Sequence, residues 1–423
     1  MTKSRLQIGI IGGGITGVAL AIALSKAEHL DVHLFEAAPA FGEIGAGVSF
    51  GSNAVRAINA LGLGAPYHQT ANSTPAPWQD VWFEWRNGLD ESYIATSLAP
   101  GVGQSSIHRA DFLDAMTSLL PPGVAHFGKR ATGVNESAGQ TTVDFADGTS
   151  FTGDLIIAAD GIKSALRCHV LKGQGFDDAG PRFTGTCAYR GLIDSAQLRA
   201  AFRAEEIDEH LLNVPQMYLG VDRHILTFPV KGGKIINVVA FISEHSTVDP
   251  IWPKDLPWVK TVEKSVMLEA FNDWGAATRI LLDHIDNPSY WALHDIAVLP
   301  TYSLRRVLLV GDAAHATLPH QGAGAGQGLE DAWFLAELLT HDQLQPSDLD
   351  KINDLYEKLR RPRASRVQQT SREMGKLYEF RHSYHGDDVS GIADVLANGF
   401  DWLWNHDLKA DIDLAKRELS WDL

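Results

Sequence analysis

The chain has 423 residues, 45% of them hydrophobic and 21% charged, which is enough to bury a large core in two or three domains. Its 36 basic and 52 acidic residues leave a formal charge of −16. That balance argues against a general nucleic-acid or anionic-membrane binder, so an anionic substrate needs a local cationic pocket. Two cysteines, Cys168 and Cys187, are too few for a disulfide framework and lack metal-ligand spacing; they fit free thiols in a reducing, cytoplasmic setting, with no metal site. Lys3 and Arg5 precede an apolar stretch, but Gly12-Gly13-Gly14 interrupts it and no cleavage pattern follows, so no signal peptide is expected. No apolar run is long enough for a membrane span.

Leu6 to Ile11 reads as a strand, followed by Gly12-x-Gly14-x-x-Gly17, an apolar helix from Ile15 to about Ala27, and a second strand, Asp31 to Phe35, ending at Glu36. This is a βαβ dinucleotide fingerprint: the first glycine turns the chain, the second admits a pyrophosphate, the third lets helix and strand pack, and the acid meets a ribose hydroxyl. The motif does not separate NAD from FAD. Phe41 to Gly51 is glycine-rich, either a loop beside a cofactor or a plain connection. Arg109 stands just before a helix of period 3.6 (Phe112, Leu113, Met116), where it contacts a phosphate or is solvated.

Thr142 to Phe151 reads as a hairpin around Asp147-Gly148, and the run Leu155 to Ala159 stops at Asp160 with Lys163 and Arg167 beyond. From about 181 to 245 the pattern becomes alternating strands. Gly232-Gly233 suits a hairpin that pairs Val230 with Ile235, Phe228 with Asn237, Leu226 with Val239 and His224 with Phe241. A turn at Asp222-Arg223 would set Met217 opposite Phe228. Met217, Leu219, His224, Leu226, Phe228, Asn237, Val239 and Phe241 then share one face, suited either to a flat aromatic ligand or to a core.

Val262 to Phe271 looks helical. The stretch Arg306 to Asp331 then holds a short apolar strand, Val307 to Val310, a turn at Gly311-Asp312, a Pro-Gly loop from Pro319 to Gly328, and an amphipathic helix running through Leu339. A glycine-rich loop feeding a helix leaves backbone N–H groups aimed at whatever lies before it, favouring negative charge. The remainder looks mostly helical. The basic run Leu355 to Arg363 reads as a helix end, solvated or interfacial.

Three elements in this order, GGGITG with Glu36, DGIKSALR at 160–167 and GDAAHATLPHQGAGAG at 311–326, resemble the single-component FAD-dependent aromatic hydroxylases. Stretches such as LFEAAPAFGEIGAGVSFG, TCAYRGL, LPHQGAGAGQGLEDA and FDWLWNHDL resemble, within that family, the bacterial salicylate hydroxylases. The resemblance implies an α/β fold: a Rossmann-like FAD-binding domain (1–70, 104–180 and 296–345), an inserted mainly antiparallel β-sheet substrate domain (71–103 and 181–295) and a C-terminal helical region (346–423).

It also implies roles. Gly12, Gly14 and Gly17 would form the pyrophosphate turn, Glu36 the ribose contact, and Arg109 and Asp312 the pyrophosphate–ribityl contacts. Gly324, Ala325 and Gly326 would run along the isoalloxazine. Asp160 would serve both FAD and NADH, and Lys163 would assist NADH. Relatives with a histidine at the place of His224 use it on the substrate phenol, and Phe228 stands where some carry tyrosine. His224 and His320 are the candidate catalytic residues; Met217, Phe228, Asn237, Phe241 and Pro319 are the candidate substrate contacts. Arg190, Arg223 and His320 are all open as the carboxylate partner.

The activity so implied is NADH-dependent, decarboxylative hydroxylation of salicylate to catechol by oxygen through a flavin C4a-hydroperoxide, by a monomer or homodimer. Hydroxylation of another hydroxybenzoate or of a hydroxynicotinate is the enzyme alternative. A non-catalytic binding protein would not need the constellation at Gly311-Asp312 and Gly322 to Gly326.

Overall fold

The computed structural model describes residues 5–42, 47–137, 139–178 and 180–422; residues 43–46 of the expected glycine-rich loop lie outside the described residues. A six-stranded sheet forms one half of the fold. Leu6–Ile11 lies at its middle, parallel to Leu30–Phe35 on one side and to Leu155–Ala158 on the other, with Val307–Leu309 parallel beyond. Leu155–Ala158 and Val307–Leu309 are continuous apolar runs, as suits strands covered on both faces, whereas Leu30–Phe35 alternates, with Asp31 and His33 half-buried. The helices Ile15–Leu24 and Gly324–Leu339 pack against each other. Each strand delivers a chemical group just past its C-terminal end: Gly12, Glu36, Asp160 and Asp312 follow four successive sheet neighbours. Ligands of open parallel sheets bind at this edge.

An eight-stranded, mainly antiparallel sheet forms the other half. Its order runs from Val259–Thr261 through Ser289–Asp295, Arg182–Asp194, Ile235–Ser243, Arg223–Val230 and Gln216–Gly220 to Val81–Asn87 and Tyr93–Leu98. Strand alternation divides its two faces. Tyr189, Tyr218, Ile225, Val238 and Ala240 pack against the helices Ser195–Ala204, Lys264–Ala270 and Ala276–Asp283. The residues between them turn toward the first sheet.

The expected pairing of Arg223–Val230 with Ile235–Ser243 is present in full, from Val230–Ile235 to His224–Phe241. The preceding hairpin differs: Met217 pairs with Leu226 rather than Phe228, because the turn falls at Val221-Asp222, with Asp222 at φ 59°. Aspartate tolerates this left-handed conformation better than most residues, which draws the turn one residue earlier. The pairing moves by two residues, so every side chain keeps its face.

The basic run is also placed differently. Arg360 and Arg363 lie inside a 30-residue helix, Leu349–Tyr378, that continues through Pro362, and both are buried. Arg360 Nε meets Asp331 at 2.9 Å and its Nη1 meets Glu330 at 2.7 Å; Arg363 Nε meets Glu330 at 2.6 Å. Burial pushes Glu330 up, but the two guanidiniums outweigh it and hold the carboxyl down at about 2. The helical spacing of three puts both arginines on one face, and that face meets the acidic pair of the Gly324–Leu339 helix. Among the described residues no helix is long and apolar enough to cross a membrane.

Replacing Arg360 by methionine leaves two buried carboxylates short of a partner, and should lower the unfolding free energy in urea by about 3–5 kcal/mol. A loss under about 1 kcal/mol would show that the cluster does not hold the helices together.

Candidate functional site

A single cleft runs between the two sheets, from Gly12 and Glu36 at one end to Phe241 and His320 at the other. At the first end Gly12 has φ 112°, and a Cβ there would stand 2.2 Å from the carbonyl oxygen of Ala159, so only glycine fits. A Cβ on Gly17 would meet the carbonyl of Gly12 at 2.0 Å, which fixes the close approach of helix and turn. Gly14 is the N-cap of Ile15–Leu24, a helix with no acid in its first turn, so its free N–H groups and dipole face the cleft uncompensated. Glu36 accepts hydrogen bonds from the N–H groups of Gly13 and Ala38, both at 2.7 Å, which orients its carboxylate at the cleft edge.

Asp160 caps the helix Ala165–Gly173 by accepting from the N–H of Ala165 at 2.8 Å. Its other oxygen, Oδ1, is buried without a hydrogen-bond partner among the described residues, and burial pushes its carboxyl above the ordinary aspartate value. Arg109 opens the helix Arg109–Thr117 and lines the cleft, as do the exposed Asp312 and Lys163. Lys163 lies 4.0 Å from the ring centre of Trp258. Gly324, the first residue of Gly324–Leu339, brings a second helix N-terminus without first-turn acids to the cleft, with Ala325 on its wall and Gly326 just behind, against Ala54. An orphaned acceptor, a glycine turn that a Cβ would fill and two bare helix ends form a donor set that fits a dinucleotide with an electron-accepting ring.

At the far end the wall is apolar and aromatic. Met217, Phe228, Asn237 and Phe241 line it from the sheet, and Pro319 and His320 from the opposite loop. Asn237 Nδ2 and His320 Nδ1 are buried and have no hydrogen-bond partner among the described residues. Burial pushes the His320 imidazole down to about 3, with His224 adding to the effect, so this wall is neutral at physiological pH.

His224 shares the same sheet face but stands one layer back. Its ring stacks on Phe241 at 4.2 Å between centroids, lies 5.2 Å from His320, and is not part of the cleft surface. His315, next to the Gly311 turn, hydrogen-bonds the buried Asp331 at 2.6 Å. Asp331 also accepts from the N–H of Gly311 at 3.0 Å, which locks that turn.

The three candidate carboxylate partners now separate. Arg223 points to the other sheet face and pairs with Asp273 at 2.9 and 3.0 Å. Arg190, opposite Val239, faces the cleft with its guanidinium 4.6 Å from the centre of Trp291 and no carboxylate partner among the described residues. Burial, with Arg109 nearby, draws Arg190 down to about 10. The TCAYRGL strand carried a usable signal: once paired antiparallel to Ile235–Ser243, its Arg190 must share the face of Val239. Glu379, by contrast, has no sequence signal that links it to the site.

Known proteins resemble the chain over nearly its whole length. A family profile described as an FAD binding domain matches residues 241–371, and one described as an NAD(P)-binding Rossmann-like domain matches residues 10–78. A salicylate hydroxylase of Pseudomonas putida is 60% identical over 99% of this chain and 97% of its own. The chain belongs to the salicylate hydroxylase family of FAD-dependent monooxygenases. A 6-methylsalicylate 1-monooxygenase of Aspergillus terreus is 36% identical over 96% of this chain and 91% of its own. The solved structure of a salicylate hydroxylase substrate complex is 52% identical, with a TM-score of 0.92 over 98% of each chain. The HpxO protein of Klebsiella pneumoniae, complexed with FAD and uric acid, is 24% identical and shares the fold, with a TM-score of 0.73 over 97% of this chain and 96% of its own. As a member of this family the chain is an FAD enzyme, and its cleft is the place where the dinucleotide-binding turn meets the aromatic wall.

The buried histidine at the end of the cleft carries a pH signature. An unfolded histidine takes up its proton near 6.5 and folded His320 only near 3, so its stabilisation is full above 6.5 and is lost as pH falls toward 3. His320→Gln should therefore flatten the acid fall in stability by up to about 1.4 kcal/mol per pH unit. Urea midpoints of both proteins at pH 7 and pH 5 check this; equal falls would show that His320 titrates normally.

Proposed function

We propose that the protein catalyses the decarboxylative hydroxylation of salicylate to catechol, consuming one NADH and one oxygen and releasing carbon dioxide and water. The observation that carries this reading is the pairing, at one end of the cleft, of a cationic Arg190 that has no carboxylate partner among the described residues with a neutral histidine and aromatic wall. An ortho-hydroxylated benzoate needs both: a cation for its carboxylate and a neutral acceptor for its phenol, with a flat apolar slot between. The names of two similar relatives, salicylate hydroxylases of Pseudomonas putida, support the same substrate.

Gly12, Gly14, Gly17, Glu36, Arg109, Asp160 and Asp312 would hold FAD, with Gly324 to Gly326 beside its ring system. Bound FAD supplies the redox chemistry that passes electrons from NADH to oxygen. The protein's own residues do the rest. Phe228, Met217 and Phe241 fix the ring plane and exclude water, Asn237 and the Pro319–His320 loop set its orientation, and Arg190 holds the carboxylate over the site of attack. Lys163, exposed and lining the cleft, would assist NADH.

Purified protein with bound FAD should consume NADH and oxygen with salicylate and yield catechol and carbon dioxide in equal amounts. Gentisate from 3-hydroxybenzoate, or no catechol from salicylate, would overturn the assignment. Arg190→Met should retain FAD yet weaken salicylate binding by about 30-fold, the loss of ~2 kcal/mol expected for a charge-assisted contact. Unchanged binding by fluorescence titration would remove Arg190 from the substrate site.

A further inference from the structure

The long helix Leu349–Tyr378 ends at its C-cap, Glu379, and this carboxylate is buried behind the wall of the cleft. It accepts from His224 Nδ1 at 2.9 Å and from the Ser243 hydroxyl at 2.8 Å on one oxygen, and from His245 Nε2 at 2.6 Å on the other. An ionised carboxylate is acceptor-only, so His224 must carry its hydrogen on Nδ1, leaving Nε2 as the basic nitrogen. His224 Nε2 is buried and without a hydrogen-bond partner among the described residues. Beside that ring stand Phe241 and His320, both on the surface of the cleft. On the other side, Glu379 and His245 line a second cavity, of about 750 Å³, that opens to solvent.

Resting on the reading of the site as a phenol hydroxylase, we propose that Glu379 is a positioning residue that makes His224 the store for the substrate's phenolic proton. His320 stands between that store and the cleft. The phenolic O–H bond breaks with its electron pair left on the ring oxygen. The proton joins one nitrogen of His320 as the other nitrogen gives its own proton to His224 Nε2, and His320 ends neutral. The imidazolium formed at His224 is held by the Glu379 carboxylate, and the same steps in reverse return the proton to the ring oxygen as catechol forms. Hydrogen bonds of this kind commonly tighten only when substrate is bound.

The surrounding charges agree with this division of labour. His320, pushed down to about 3 by burial, is suited to pass a proton rather than keep it. Burial raises Glu379, but its hydrogen bonds from His224 and His245 overcome this and hold it at about 2, ionised throughout the working range. His245 is raised chiefly by its hydrogen bond to Glu379. The other charged groups near the trio among the described residues include Asp222, 3.9 Å from His245, Arg381, which pairs with Asp222 at 2.6 Å, and the exposed Glu244, whose carboxylate feels the charge of His245 beside it. Tyr378 packs edge-on against His224 and is uncharged, its hydroxyl donating to the backbone carbonyl of His320.

Two substitutions on opposite sides of Glu379 make the test directional. Glu379→Gln removes the negative charge beside His224, weakening that base. The plateau of catechol formation should fall at least tenfold, NADH oxidation should divert to hydrogen peroxide, and the acid limb of the kcat–pH profile should move to lower pH. His245→Gln removes a positive charge from the solvent side and leaves the core in place, so the acid limb should move to higher pH. Limbs that stay still, or that move in the same direction in both variants, would overturn the proposal. A purely structural Glu379 would lower stability and FAD content without moving the limb, and should Glu379→Gln fail to fold, the direction of the His245→Gln shift alone decides. Wild-type protein that makes no catechol from salicylate would instead refute the substrate assignment, a separate result.

Discussion

The carboxylate of Asp331 is the point on which the cofactor side of the fold depends. It lies in the second turn of Gly324–Leu339 and takes three donors at once: the N–H of Gly311, His315 and Arg360. Those donors come from the turn after the Val307–Leu309 strand, the short helix behind it and the middle of the long C-terminal helix. The neighbouring Glu330 repeats the arrangement with Arg360, Arg363 and Asn53, drawing in the helix Ser52–Ala60. In a low-dielectric interior such a network is stabilising only when complete, since one missing partner strands a buried charge. Its completeness is what sets the Gly311-Asp312 turn and the Gly324 helix end at fixed separation across the cleft.

Local signals carried most of the first sheet. Leu6 to Glu36 could be read because the period of the apolar residues, the glycine spacing and the terminal acid all act within one βαβ unit. The faces of the second sheet were legible for a similar reason: alternation survives even where the turn was misplaced, since moving the Met217 pairing by two residues leaves parity intact. What the sequence hid is long-range charge pairing. Arg360 and Arg363 read no further than a solvated or interfacial run because their acids stand 29 to 33 residues away. Glu379 reads as one more helix-end acid, although its histidine partners lie 155 and 134 positions earlier. No periodicity links such residues, and only the packing of the long helix across the sheet brings them together.

His224 shows how a correct face can still leave a role unspecified. Alternation put it with Phe241 and Leu226, yet depth along the face depends on what covers the sheet. The loop Leu318 to Gln321 brings His320 across that end, and Gly375 allows it: a Cβ there would stand 2.6 Å from the His320 ring. A small residue in the long helix thus decides which of two imidazoles meets the ligand and which stands behind it.

The overall charge of −16 opposes the approach of an anion such as a benzoate or a dinucleotide, so the cleft must supply its own field. Among the described residues five cationic ones, Arg109, Lys129, Arg130, Lys163 and Arg190, line it against three acidic ones, Glu36, Asp160 and Asp312. Glu36 and Asp160 are partly neutralised by the backbone N–H groups they accept. The excess is small, but it sits between low-dielectric walls that concentrate field lines, while the acidic exterior is screened within about 10 Å at ordinary salt. Two helix N-termini add positive potential at the same place and remain in force at any pH. An acidic protein can therefore take anionic ligands because its cationic groups are gathered where water is thinnest, and because Arg190 is the one turned to the aromatic end with no carboxylate of its own among the described residues.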